Sequence, residues 1–257
     1  MTSRLSKAQL NISPIKRASM SFGFTLIELL VVVALIVLLI AMLLPQLHSA
    51  KRNARIVVCL ANLHQHGEAF GAYHRDNLQF YPITNNWADL SGKIGTVGHY
   101  NANQYDYEDR PLNEYLGTPE SSRCPSDLGD SYNSPNFDAI TNCYEQYGNS
   151  YQAPFSYNVL RTAYVIGDMT PAGLVSVKPR RANSFGAHMA NKLVQADWVW
   201  WGNRPLSNPK SWWHTNGFER KYNVLFADFH CEFFTFPLDQ DDHWPNFEPP
   251  NPDNPWW

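Results

Sequence analysis

Cys59, His64, His66 and His74 lie close together in this 257-residue chain, and thiolate and imidazole side chains hold zinc when they converge. Zinc motifs, however, favour tight pairs such as Cys-x-x-Cys or histidines at i and i+4. On a helix His66 falls near the Cys59 stripe while His64 points away, so these residues read as core and surface histidines, with no metal assigned. Asp239, Asp241 and Asp242 cluster after the last apolar segment, and an oxygen-rich acidic loop suits calcium. Three adjacent acids are more often a solvated surface, so calcium is the minority reading. Trp198-Val199-Trp200-Trp201 and Trp212-Trp213 offer aromatic faces to a sugar, or a core and a protein interface, which is the blander alternative. There is no G-x-S-x-G, no phosphate-cradling glycine loop and no H-E-x-x-H, so no catalytic residue is assigned and the chain does not read as an enzyme.

The remaining chemistry is at the amino end. Ser21-Phe22-Gly23-Phe24-Thr25-Leu26-Ile27-Glu28 follows a segment, 1–23, that carries Arg4, Lys7, Lys16 and Arg17 and no acid. A glycine lets the backbone lie extended in a protease cleft. From Phe24 to Leu44 the chain is apolar except for Glu28. Twenty or so helical residues rise about 30 Å, the thickness of a bilayer core. A secretory signal is shorter and ends at a small-residue cleavage site, whereas this run ends at Pro45-Gln46-Leu47-His48. An acid inside the bilayer costs about 2.5–3.5 kcal/mol on insertion scales and persists where it finds a partner. Against that stands a glutamate that snorkels to the headgroups.

This junction resembles the prepilin family, the type IV pilins and the pseudopilins of type II secretion: a basic leader ending in Gly23, then Phe-Thr-Leu-Ile-Glu, then the apolar run. The resemblance implies cleavage after Gly23 by a prepilin peptidase, N-methylation of Phe24, and pairing of Glu28 with the α-ammonium of a neighbouring subunit. Cys59-Leu60-Ala61-Asn62-Leu63-His64-Gln65, Tyr73 to Asn77, Phe80-Tyr81-Pro82, Arg123-Cys124-Pro125-Ser126-Asp127 and Asn223 to Asp228 resemble blocks of one pseudopilin-like subfamily of planctomycete and lentisphaera-type bacteria. That subfamily turns its last hairpin on Asp-Gly; here Asp228-Phe229 occupies the turn, where a bulky residue at positive φ is strained, so a different turn is expected. The subfamily's upstream histidine also sits nearer that aspartate than His214 does here.

Around these residues the expected fold class is α+β, a long N-terminal helix packed on a small antiparallel sheet in the pilin manner. The expected segments are a cleaved leader (1–23), a transmembrane helix (24–44), an amphipathic stalk helix (45–77), a soluble head (78–243) and a Pro-rich tail (244–257) expected to be loose. Pro45 lacks an amide donor and is expected to kink or open the helix. Cys59, Leu63, His66, Phe70 and Tyr73 recur at helical spacing as the face turned to the head. Strands are expected at Ala163–Gly167, Leu174–Pro179, Lys192–Trp201, Tyr222–Ala227 and His230–Phe236.

The family implies an inner-membrane, single-pass protein with its head outside the cytoplasm, where disulfides form. A Cys124–Cys143 bridge is favoured there, with the other pairings of the four cysteines left open. Some major pseudopilins hold calcium in a C-terminal loop, which is the family basis for the Asp239, Asp241 and Asp242 reading. The implied partners are the peptidase, other pilin-like subunits, an inner-membrane assembly platform with its cytoplasmic ATPase, and membrane lipid. A net charge of −3 excludes a globally basic nucleic-acid binder. The alternative function is a membrane-tethered protein whose aromatic head binds a glycan through Trp200 or Trp212.

Overall fold

The computed structural model describes residues 23–96, 107–132, 140–156, 158, 161–170, 173–202, 204–215, 217, 219–237 and 249–257. It is α+β, with one long helix and two small sheets. Helix α1 (Leu26–Asp76) begins in the apolar run, and Pro45 lies inside it without ending it. Two compact units divide at His48/Ser49.

In the first unit every described residue, Gly23 to His48, is exposed, among them Leu26 at 79% and Leu39 at 65%. The helix is apolar all round and is long and apolar enough to cross a membrane.

The second unit takes the amphipathic half of α1 as its core helix. Cys59, Leu63, His66, Gly67, Ala69, Phe70 and His74 are buried on it; these include Cys59, Leu63, His66 and Phe70 of the stripe that the spacing predicts, whereas Tyr73 is half-buried. Strand β1 (Ile83–Thr84) pairs in parallel with β3 (Gly167–Met169), which pairs antiparallel with β4 (Val175–Val177). Before β3 come the short helix α2 (Cys143–Tyr147) and strand β2 (Tyr151–Gln152). Strand β2 edges an antiparallel sheet ordered β2, β5 (Leu193–Asp197), β6 (Arg220–Phe226), β7 (Cys231–Phe236). The expected strand over 163–167 is displaced to β3, and residues 111–115 form turns. β5 stops at Asp197; Trp198–Trp200 then form a 3₁₀ turn, so the alternation expected of a strand does not apply to the tryptophans.

All five residues of β5 are buried, as they are in a strand covered on both faces. On the α1 side, His66 Nδ1 meets Gln195 Oε1 of β5 at 2.8 Å, and Leu225 of β6 closes on Gly67. On the other, Trp200 stacks on Phe236 with ring centroids 5.9 Å apart. Two buried ion pairs, Arg110–Asp89 and Arg204–Asp130, pin the loops around this core.

The β6–β7 turn contradicts the expectation drawn from its sequence. Phe229 does adopt the left-handed conformation, φ +69°, with its amide donating to Phe226 O at 2.9 Å. This is the three-residue hairpin in which a glycine is usual. The side chain is the physical reason: it lies against Gly67 and Gly71, one turn apart on α1, where an added Cβ would come within 3.3 Å of Phe229 Cβ and 3.2 Å of the ring. Two glycines on the helix leave a groove, and packing in it offsets the backbone strain at Phe229.

The tail also differs from expectation. Its described part, 249–257, ends docked: Trp256 is buried, Trp256 O accepts from Thr162 Oγ1 at 3.2 Å, and Trp257 O accepts from Lys192 Nζ at 2.8 Å. Lys192 is fully buried, its ammonium pushed well below its ordinary pKa by desolvation, and it donates to Trp257 O and Ala163 O, which a buried cation needs.

Candidate functional site

Gly23 and Phe24 are exposed and precede the helix. Thr25 and Glu28 then form a reciprocal cap: Glu28 N donates to Thr25 Oγ1 at 3.2 Å, and Thr25 N donates to Glu28 Oε2 at 2.8 Å. This is the Thr-x-x-Glu capping box, which satisfies amides that a helix start leaves unpaired. The Thr25 hydroxyl donates to the same oxygen, also at 2.8 Å, so both contacts to the carboxylate use Oε2. The sequence reading gave Glu28 an intermolecular role alone; its local role in starting α1 was legible in the Thr-x-x-Glu spacing and was missed.

The cysteines are arranged differently from the favoured pairing. Cys59 of α1 is bonded to Cys124, with Cα atoms 5.3 Å apart, and Cys143 is a free thiol. Cys143 opens α2, where its amide donates to the Asp127 carboxylate at 2.9 Å, and its thiol is pushed up by desolvation. Sequence proximity suggested the Cys124–Cys143 loop; the face of α1 that turns to the sheet decides otherwise, because Cys59 sits on it. Cys231 is also free, half-buried, with its thiol pushed up to about 12 by desolvation. Asp239, Asp241 and Asp242 lie outside the described residues.

The histidines divide as the sequence suggested. His64 is exposed beside Glu68, 3.6 Å away, whereas His66 and His74 are buried and held down to about 4, principally by desolvation. Trp198, Trp200 and Trp201 are all buried, at 1% exposure or less, so none presents a face to a sugar; Trp212 is half-buried, with its Nε1 donating to Leu206 O at 2.9 Å.

One cluster escaped the sequence altogether. Asp197, at the end of β5, and His214, in the loop before β6, meet the Cys59–Cys124 pair, and one ligand atom from each of the four lies within 4.8 Å of the others. All four residues are buried. His214 Nε2 is 3.4 Å from Cys124 Sγ and 3.2 Å from Asp197 Oδ2. Asn223 of β6 braces them: its backbone amide donates to Asp197 Oδ2 at 2.7 Å, and its Nδ2 reaches Asp197 Oδ2 at 3.0 Å and His214 Nε2 at 2.9 Å. The four are scattered from position 59 to 214, so no local spacing announces them. The Cys-x-x-Asn, Cys-Pro-Ser-Asp and Asn223 blocks were visible only as separate pieces.

No family model, no curated protein and no solved structure matches the chain.

Proposed function

We propose that the chain is a pilin-like structural subunit, made as a precursor, cut after Gly23, methylated on Phe24, and assembled through its apolar helix into a type II secretion pseudopilus or type IV pilus-like filament. The observation that carries this reading is the exposed apolar surface from Phe24 through α1 to Leu47, which begins at the Gly23–Phe24 junction, in a helix that goes on to serve as the core helix of a folded head. Exposed leucine and valine on every side need lipid before assembly and like helices after it.

The mechanism is mechanical. Cutting ahead of the apolar run leaves the membrane helix on the product and creates an amine at Phe24, one turn from Glu28. A neighbour's amine brought to the Glu28 carboxylate offsets the cost of an acid in hydrocarbon and sets the axial register of the two helices. The head sits outside the cytoplasm of a single-pass inner-membrane protein, where the Cys59–Cys124 bridge forms. The assembly platform and its ATPase supply the work.

The test is the intact mass of the membrane-extracted protein from cells with and without the prepilin peptidase. A mass beginning at methylated Phe24, replaced by the full chain when the peptidase is absent, is the expected result. An uncut chain in both strains overturns the reading and leaves residues 1–44 as an anchor.

A further inference from the structure

We propose that Cys59, Cys124, Asp197 and His214 form a thiophilic divalent-cation site, of the kind zinc occupies, when the Cys59–Cys124 bridge is open. The inference is independent of the filament reading, since it concerns only the interior of the head.

The hydrogen bonding at His214 and Asp197 calls for a cation. If Asn223 Nδ2 donates to His214 Nε2 across 2.9 Å, that nitrogen carries a lone pair, and it then faces Asp197 Oδ2 across 3.2 Å with no proton between them. If Nε2 carries the proton, it serves Asp197 but meets the Asn223 N–H head-on. Turning the amide over puts its oxygen 3.0 Å from the carboxylate oxygen, two acceptors in contact. With Asp197 as the carboxylate, each of these arrangements leaves one repulsive contact in a buried place, where such contacts cost most. A dication between Nε2 and Oδ2 removes it.

The donor set suits zinc. Two thiolates, one imidazole and one carboxylate give four ligands of the preferred types, and at zinc–ligand distances of about 2.0–2.3 Å a tetrahedron separates neighbouring ligand atoms by about 3.3–3.8 Å. The observed 3.2 Å from Nε2 to Oδ2 and 3.4 Å from Nε2 to Sγ lie close to that spacing. Of the four, His214 also borders a cleft of about 290 Å³ lined by Arg52, Asn53, Glu219 and Lys221. Asn223 holds Asp197 from the side as an outer-shell partner.

The bridge and the ion exclude each other, because a disulfide offers no thiolate. A trialkylphosphine opens the bridge: its lone pair attacks one sulfur, and the sulfur–sulfur bonding pair leaves on the other as thiolate. Water's oxygen then displaces the first sulfur from phosphorus to give the phosphine oxide, and water's two hydrogens end on the two thiols. The ion then displaces both thiol protons to solvent.

The experiment titrates cobalt(II) into the full chain in detergent, phosphine-reduced and, in parallel, oxidised. Expected is one equivalent on the reduced chain, with the thiolate-to-cobalt charge-transfer band of a tetrahedral site, at least ten-fold weaker binding in His214→Ala and in Asp197→Asn, and no such band on the oxidised chain. Zinc-loaded wild type, which needs no substitution, is alkylated as a second measurement: Cys59 and Cys124 are protected while Cys231 reacts. No stoichiometric binding by the reduced chain, equal binding by the oxidised chain, or alkylation of Cys59 and Cys124 at the metal-free rate overturns the proposal.

Discussion

Lowering the pH should destabilise the head through His66. The ring is fully buried between β5, the 119–122 turn and Tyr151: Nδ1 faces Gln195 Oε1 at 2.8 Å, Nε2 faces Ser122 Oγ at 3.3 Å, and Tyr151 packs edge-on at 5.5 Å. No carboxylate among the described residues contacts it, so protonation buries a charge with nothing to offset it. Burial accordingly holds its pKa down at about 4 against an ordinary 6.5. A lowered folded-state histidine pKa means that the unfolded chain binds the proton more readily, so its contribution is complete above pH 6.5 and is lost as pH falls towards 4. The difference corresponds to about 3 kcal/mol. For a unit of this size that is a fall of about 6–12 °C in Tm. His74, also held at about 4 by burial, adds a loss of the same sign, whereas Asp127, raised by burial, works in the opposite direction. The assay is therefore a comparison: urea unfolding of the full chain in detergent from pH 7.5 to 4, wild type against His66→Leu. The variant starts less stable, because Gln195 and Ser122 lose a partner, but its curve should be shallower by about 3 kcal/mol over the window. Parallel curves would refute the assignment.

Three further outcomes follow from the packing. Replacing both Cys59 and Cys124 by serine opens a link between residues 65 apart and should cost about 4 kcal/mol in the chain-entropy model, read by urea unfolding; a loss below about 1 kcal/mol would mean that the bridge constrains little. Phe229→Ala loses the ring and keeps the strain, whereas Phe229→Gly loses the ring but relieves a φ of +69°, so the glycine variant should be more stable than the alanine variant by about 1 kcal/mol; the reverse order would sink the account of the turn. Deleting Trp256 and Trp257 removes a buried indole and one acceptor of Lys192, and should lower stability by about 3 kcal/mol or more in thermal melts. An unchanged Tm would show that the tail is only loosely held.

What the sequence determined by itself is what local physics enforces. An unbroken apolar run fixes an exposed helix whatever the rest of the chain does. The steps of three and four from Cys59 to Phe70 mark a buried helical face, and Asn223 to Phe236 carries enough alternating apolar residues to locate the last two strands. Thr25 and Glu28 form their cap within one turn. Other features needed distant parts of the chain to meet. Trp198 to Trp201 read as strand residues of a core or interface, ahead of a sugar platform, but the 3₁₀ turn, the Asp130 carboxylate accepting from Trp198 Nε1 at 2.8 Å and the ring of Phe236 that enclose them came only with packing. Phe229 breaks the glycine rule of its turn only because Gly67 and Gly71, remote in sequence, open a groove on α1. Cys59 chose Cys124 over the rest because α1 lies on the sheet along that face, and the same contact brought Asp197 and His214 beside the sulfurs. Periodicity is written along the chain; convergence of side chains from four separate elements is decided only when those elements pack.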